Sequence, residues 1–311
     1  MTSRDGITPR QANLLLLLAS AIWGLAFVAQ RVGMRHVEPF TFNGVRFLLA
    51  TVALAPLLRW GLPGQGRPGR RVPRGRIVRG GLVAGLALFA GSTLQQYGVV
   101  FTTAGKAGFI TSLYVVFVPL LGLAVGQRTT RAVWIGVAAC AAGLYLLSAR
   151  GMAGIGLGDG LVLVGALFWA VHVLVIGRLA RDLPALPLAV AQFTVTGALS
   201  LAGAVIFERI DPAALRAAAV PVLYAGLMSV AVAYTLQVVG QSRAHPAHAA
   251  VILSLESVFA AVGGWVLLGE VMGARALAGC GLMLAGVLIA QINPGSPVPA
   301  ANVAEKPQNV I

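Results

Sequence analysis

Apolar positions in this chain neither alternate nor keep a narrow helical stripe. They form long continuous runs separated by short polar breaks. The first run spans Leu14 to Gln30, and nine more follow at 41–58, 80–99, 104–125, 132–148, 159–177, 186–207, 219–240, 245–268 and 274–291. A helix that crosses a bilayer needs about 20 predominantly apolar residues, so the pattern predicts ten transmembrane helices. Outer-membrane barrels would instead show alternating segments of about 10 residues. The least marked divisions lie between the third and fourth runs (FTTAGKAG) and between the eighth and ninth (GQSRAHPA).

Composition strengthens the membrane reading. The chain is 58% hydrophobic and 10% charged, with a mean hydropathy of +0.86, against about 25% charged residues in a soluble domain. A net charge of +14 taken alone suggests nucleic acid, but the basic residues stand almost wholly in the breaks, so no nucleic-acid partner is expected. With the N-terminus inside, fifteen Lys and Arg fall on the inner side and seven on the outer. The excess predicts both termini on the cytoplasmic side. Seven arginines from Arg59 to Arg79 drive that count. Their loop, 61–81, reads as an orientation signal or as a site for anionic headgroups. Ala19-Ser20-Ala21 resembles a signal-peptidase site, but the apolar run continues past it, so the first helix is retained. The proline-containing tail 292–311 is expected to be disordered.

The two halves resemble each other. Trp23 and Trp169, and Phe47 and Phe193, match at an offset of 146. Thr93-Leu94-Gln95 matches Thr235-Leu236-Gln237 at 142, as do Ser112-Leu113 with Ser254-Leu255 and Phe117 with Phe259. Five crossings are an odd number, so a second copy enters from the opposite face. The expected fold is therefore an all-α polytopic membrane protein of ten transmembrane helices, two inverted five-helix repeats around a central cavity. Such an architecture is associated with alternating-access transport. Residues 1–12 form a cytoplasmic lead, 13–148 the first repeat, 149–158 an outside linker and 159–291 the second repeat.

Polar residues concentrate in corresponding runs. The third run carries Gln95 and Gln96 and the fourth Lys106 and Tyr114, with Pro119 expected to kink it. The eighth carries Tyr234 and Gln237, and the ninth Ser254 and Glu256. Trp23 with Gln30, and Trp169 with His172, come from the first and sixth. A central cavity lined by these six runs is expected, with the fifth and tenth peripheral. The small residues of those two suit close packing or a homodimer, and Cys140 and Cys280 read as packing residues. Glu256 is the sharpest signal, because a charge at helix centre costs about 2.5–3.5 kcal/mol on insertion scales. It reads either as a hydrogen-bonded tie between helices or as a group that handles substrate or protons. Arg46 reads as snorkelling, ion-paired or touching substrate. Lys106 stands at the outer mouth, as a boundary residue or an attractor of anions. His172 reads as a hydrogen-bonded core residue or a proton relay.

Catalysis has little support. His245 and His248 suggest zinc, but Glu256 lies eight residues beyond His248, about 12 Å along a helix. HExxH, GxSxG and a membrane aspartate pair are all missing. GIGLGDG at 154–160 has no preceding strand to make it a nucleotide turn. No enzyme activity, metal or cofactor is expected.

The start AIWGLAFVAQRVG, the arginine of NGVRFLLA, the segment AGFITSLYVVFVPLLGL and above all LSLESVFAAVGGWVLLGE resemble the EamA branch of the drug/metabolite transporter superfamily over roughly residues 13–291. That resemblance implies a ten-helix inner-membrane secondary carrier that commonly exports amino acids, other metabolites or toxic compounds. Its partners would be membrane lipid, a small-molecule substrate and, in some members, a proton. Two departures stand out. Ser257 replaces the proline of a Leu-Glu-Pro motif, which predicts a less broken ninth helix. Val125-Gly126-Gln127 lacks the acid of its counterpart Leu268-Gly269-Glu270. A non-transporting scaffold or sensor on the same bundle is the competing expectation.

Overall fold

The computed structural model describes residues 7–59, 72–102, 104–148, 156–268 and 273–292. Residues 1–6, most of the basic 61–81 loop, residues 149–155 of the linker and the 293–311 tail lie outside the described residues, and so does the Lys106 side chain. Among the described residues there is no β-strand.

Helix α1 is Pro9–Gly33, α2 is Pro39–Leu54 and α3 is Arg74–Phe101. Helix α4 comes in two segments, Ala104–Ser112 and Tyr114–Ala124. Helix α5 is Arg131–Ser148, α6 is Leu157–Leu179 and α7 is Ala185–Phe207. After a short helix, Pro212–Ala217, α8 runs Ala219–Gln241, with π-helical turns over Tyr224–Tyr234. Helix α9 is again two segments, Pro246–Leu253 and Glu256–Leu268, and α10 is Ala274–Ile292.

Eight of these helices are long and apolar enough to cross a membrane, and the chain is a multi-pass membrane protein. The apolar parts of α5 and α10, Arg131–Leu146 and Leu277–Ala290, are shorter. Where helices begin and end outside the apolar runs, caps explain it. Helix α1 starts before its run because Thr8 and Gln11 form a reciprocal capping box, with Pro9 in the first turn. Helix α4 stops at Gly126, whose φ of 77° suits a glycine, with Gln127 N–H bonding back to the Gly122 carbonyl. Gly126 therefore has a helix-stop role in the Val125-Gly126-Gln127 sequence.

Two interruptions correct the sequence reading. Helix α4 breaks at Leu113, six residues before Pro119, which lies inside the second segment. Helix α9 breaks at Ser254-Leu255 although Ser257 stands where the motif has proline. There the serines do what a proline would: Ser254 Oγ donates to the Val251 carbonyl and Ser257 Oγ to the Ser254 carbonyl, both at 2.8 Å, in competition with the backbone ladder. Both breaks fall on the repeated Ser-Leu pair.

Helix α2 packs on α7 and α8, α3 on α6 and α7, α1 on α8 and α9, α4 on α6 and α9, and α5 on α10. The last contact uses the small residues of both helices. A Cβ on Gly136 would sit 2.6 Å from the Gly286 carbonyl oxygen, and one on Gly143 2.6 Å from that of Gly279. Those glycine faces are thus spent within one chain, which removes the small-residue argument for a homodimer. Cys140 is buried in the same seam and Cys280 is half-buried, both as free thiols.

At one end of the bundle Glu208, which follows α7, closes the start of α2. Its carboxylate accepts from the backbone N–H groups of Phe40 and Thr41 at 2.7 Å each, from Thr41 Oγ1 at 2.8 Å and from Tyr97 Oη at 3.3 Å. An anion at a helix N-terminus satisfies otherwise unpaired donors and the helix dipole together. At the same end Thr102 Oγ1 donates to Asp159 Oδ1 at 2.5 Å and Arg31 Nη1 to the Val99 carbonyl at 2.7 Å.

A candidate substrate cavity between the two halves

The two helix breaks, the wide turns of α8 and the middles of α1, α2, α3 and α6 surround a cavity with about 500 Å³ of atom-free space. Water centres fit over about 40 Å³ of it, room for about three waters. Every lining side chain except the half-buried Trp23 is less than a tenth exposed. The cavity is therefore walled almost entirely by side chains withdrawn from solvent.

Of the residues singled out in the sequence, Trp23, Gln95, Tyr114, Trp169, His172, Tyr234, Gln237 and Glu256 all line this cavity, and so does Arg46. Gln96 and Ser254 do not. Gln96 is buried elsewhere with neither amide atom hydrogen-bonded, and Ser254 is turned back on its own helix. Phe27, Val173, Ser229 and Leu253 also line the cavity, unmarked by the polar pattern. The repeat offset is the signal that finds three of them. Phe27 matches Val173 at 146 and Leu253 matches Thr111 at 142, just as Gln95 matches Gln237 and Tyr114 matches Glu256.

One wall is a network centred on Gln95. Its Oε1 accepts from Trp169 Nε1 at 2.7 Å and from Thr111 Oγ1 at 3.3 Å, while its Nε2 donates to Gln30 Oε1 at 3.0 Å. Trp169 has room because Gly91 faces its ring; a Cβ there would lie 3.2 Å from Cδ2. Opposite, Trp23 Nε1 donates to the Ser229 carbonyl at 3.0 Å, an acceptor in the π-helical stretch of α8. Short π-helical segments recur at functional sites. The same stretch ends at Tyr234, whose ring lies 4.6 Å from Trp23, 6.1 Å from Trp169 and 5.9 Å from His172, centroid to centroid. His172 Nε2 meets Gln192 Oε1 at 2.8 Å and its Nδ1 has no partner.

Two charged groups border the aromatic wall. Glu256 opens the second segment of α9, with Ser112 Oγ at 3.5 Å from its Oε1 and the Tyr114 hydroxyl beside it in poor hydrogen-bond geometry. Arg46 corrects two sequence expectations, since it neither snorkels nor forms an ion pair. It is 3% exposed, its Nε has no partner, and its guanidinium makes no hydrogen bond to a described residue. Its carbon Cζ sits 5.4 Å from the Phe42 ring centroid and 5.0 Å from that of Phe47. Each such contact is worth about 0.5–2 kcal/mol, less than the several kcal/mol needed to desolvate an ion. The Arg46 charge is held in place but not neutralised. His248 meets Asn13 Oδ1 at 3.2 Å and His245 Nδ1 accepts from Ala247 N–H at 3.3 Å. Among the described residues no three His, Cys, Asp or Glu side chains gather as a metal site.

Comparison with known proteins puts this cavity in context. The EamA-like transporter family matches residues 10–149 and again residues 156–291. A protein of Archaeoglobus fulgidus described as an uncharacterized transporter is 32% identical over 294 residues, 93% of this chain and 88% of its own length. A second uncharacterized transporter of that organism is 28% identical over 167 residues, 52% of this chain and 56% of its own. A crystal structure of another protein superposes with a TM-score of 0.73 over 93% of this chain and 98% of the other at 21% identity, which speaks for the fold alone.

Proposed function

The chain belongs to the EamA-like transporter family, and from that premise we propose that it is a secondary carrier that exports small metabolites, amino acids or amphipathic compounds among them, by alternating access. The observation that carries this reading is the buried-walled cavity lined by repeat-matched residues from both halves. Exchange of the halves gives closure and opening at either end for the same helix contacts. The helix contacts support this, because replacing each helix by the one five places away maps the set onto itself: α3 on α6 becomes α8 on α1, and α1 on α9 becomes α6 on α4. Ten crossings in two inverted repeats, 13–148 and 159–291, follow, with both termini in the cytoplasm of a bacterial-type inner membrane. Reporter fusions that place either end outside the cytoplasm would refute that topology.

Glu256 is the group that exchanges a proton or a cationic moiety with the cargo during the cycle. Gln95 and the tryptophans fix the shape of the wall, and Lys106 stands at the mouth. A homodimer would have to use outward faces of α5 and α10 such as Ile135, Tyr145, Leu277 and Leu284, which are exposed.

Counterflow in proteoliposomes tests the reading. Vesicles preloaded with unlabelled metabolite should take up the same labelled compound faster than empty vesicles for at least one member of a panel of amino acids and amphipathic metabolites. No acceleration across the panel would leave a scaffold or sensor as the better account.

A further inference from the structure

Resting on the carrier reading, we infer that Arg46 is a specificity residue: it forms an anion subsite, and the cavity takes cargo with a single carboxylate on a flat apolar body. Three observations converge with two properties of the guanidinium group. The guanidinium is buried in the wall of the cavity and receives no hydrogen bond acceptor from any described residue. Phe42 and Phe47, both fully buried, each bring a ring close to it, with centroids 5.4 and 5.0 Å from Cζ, contacts that leave its N–H donors unused. A guanidinium has five N–H donors in a rigid fork that fits a carboxylate bidentately. It keeps its charge in proteins, so this cavity cannot discharge it by losing a proton. The carboxyl across the cavity, Glu256, has hydroxyl neighbours in Ser112 and Tyr114 and makes no ion pair with Arg46.

What balances the cation must therefore arrive with the cargo. The rest of the cavity describes the remainder of that molecule. Trp23, Trp169, Tyr234 and Phe27 offer ring faces and edges. The polar atoms of Gln95 that face this wall are already engaged with Trp169, Thr111 and Gln30. A flat apolar body loses nothing by lying there. A cationic head in the same place would meet the uncompensated charge of Arg46. A zwitterion, by contrast, would use Glu256 as well, and the experiment separates it from a simple anion.

Intrinsic fluorescence of the purified full-length protein in detergent reads occupancy, because Trp23 and Trp169 line the cavity. Three probes share one body: 3-phenylpropionate, phenylalanine and 2-phenylethylamine. The acid should bind at least about tenfold more tightly than the amine, a factor of ten being about 1.4 kcal/mol. Arg46→Gln should weaken the acid about tenfold or more and leave the amine unchanged or tighter, while Arg46→Lys keeps part of the preference. Phenylalanine tighter than the acid would overturn the single-carboxylate cargo in favour of a zwitterion that engages Glu256 as well; the amine as tight as the acid, or no saturable change with any probe, would overturn the anion subsite itself. The comparison of acid with amine on the unaltered protein stands even if Arg46→Gln fails to fold. Counterflow of any metabolite by a protein without this preference would leave the carrier reading intact and remove only the subsite.

Discussion

Tyr114 and Glu256 occupy the same place in the two halves, each the first residue after a broken helix, and they lie side by side on the cavity wall. The repeat thus supplies one hydroxyl and one carboxyl where symmetry would give two of a kind. Glu256→Gln preserves the shape and removes the acid. Counterflow should fall at least about tenfold with expression and monodispersity unchanged. Full activity in this variant would return Glu256 to the role of a tie between helices.

Gln95 serves three partners at once, so its loss should register in stability. Gln95→Leu leaves the Trp169 indole, the Thr111 hydroxyl and the Gln30 amide unpaired, each unsatisfied group costing about 1–3 kcal/mol. The detergent-solubilised protein should melt several degrees lower. Trp169→Phe removes one bond and should lower the melting temperature less; the reverse order would refute the network.

Gly24 lets α1 approach the break in α9. A Cβ at this position would lie 2.6 Å from the Glu256 carbonyl oxygen. Gly24→Ala should therefore destabilise by about 1–3 kcal/mol, as overpacking does, and reduce counterflow by shifting Glu256. Gly75→Ala, where nothing lies within 4 Å, is the matched control and should do neither.

His245 caps α9 through Nδ1, which requires the neutral ring. Burial, and secondarily the positive charge of Arg181, hold its imidazole below its ordinary value; His248 is the other titratable group that feels it. The sign follows by linkage: the unfolded chain binds the proton more readily, so stability is intact above about pH 6.5 and declines as pH falls towards the lowered folded-state value. His245→Asn keeps a capping oxygen and should flatten this acid limb in a thermal melt taken at several pH values. An unchanged limb would assign the effect to other groups.

Each of the ten apolar runs holds a helix, because hydrocarbon leaves the backbone no alternative to internal hydrogen bonds; the short helix Pro212–Ala217 falls in a polar break and was not foretold. What they could not carry was termini set by polar caps, such as the Thr8 and Gln11 box, or breaks caused by local serine bonds at Ser254 and Ser257. Most of the cavity side chains were legible as polar residues out of place. Phe27, Val173 and Leu253 were not, since an apolar residue facing a cavity has the same hydropathy as one facing lipid. Arg46 was visible as a charge, but only its rings and missing partners in three dimensions distinguish a cavity cation from one that reaches for the interface.

Glu208 ties the start of α2 to the end of α7 with three donors, and takes a fourth from α3, beside a ring contact between Phe40 and Phe207 at 6.2 Å between centroids. Prising these helices apart would hand the carboxylate and its donors over to water and wet the Phe40 and Phe207 rings as well. The energetic toll of unlatching that end would then be set by hydration, and a modest drop in water activity should slow it more than a matched rise in viscosity.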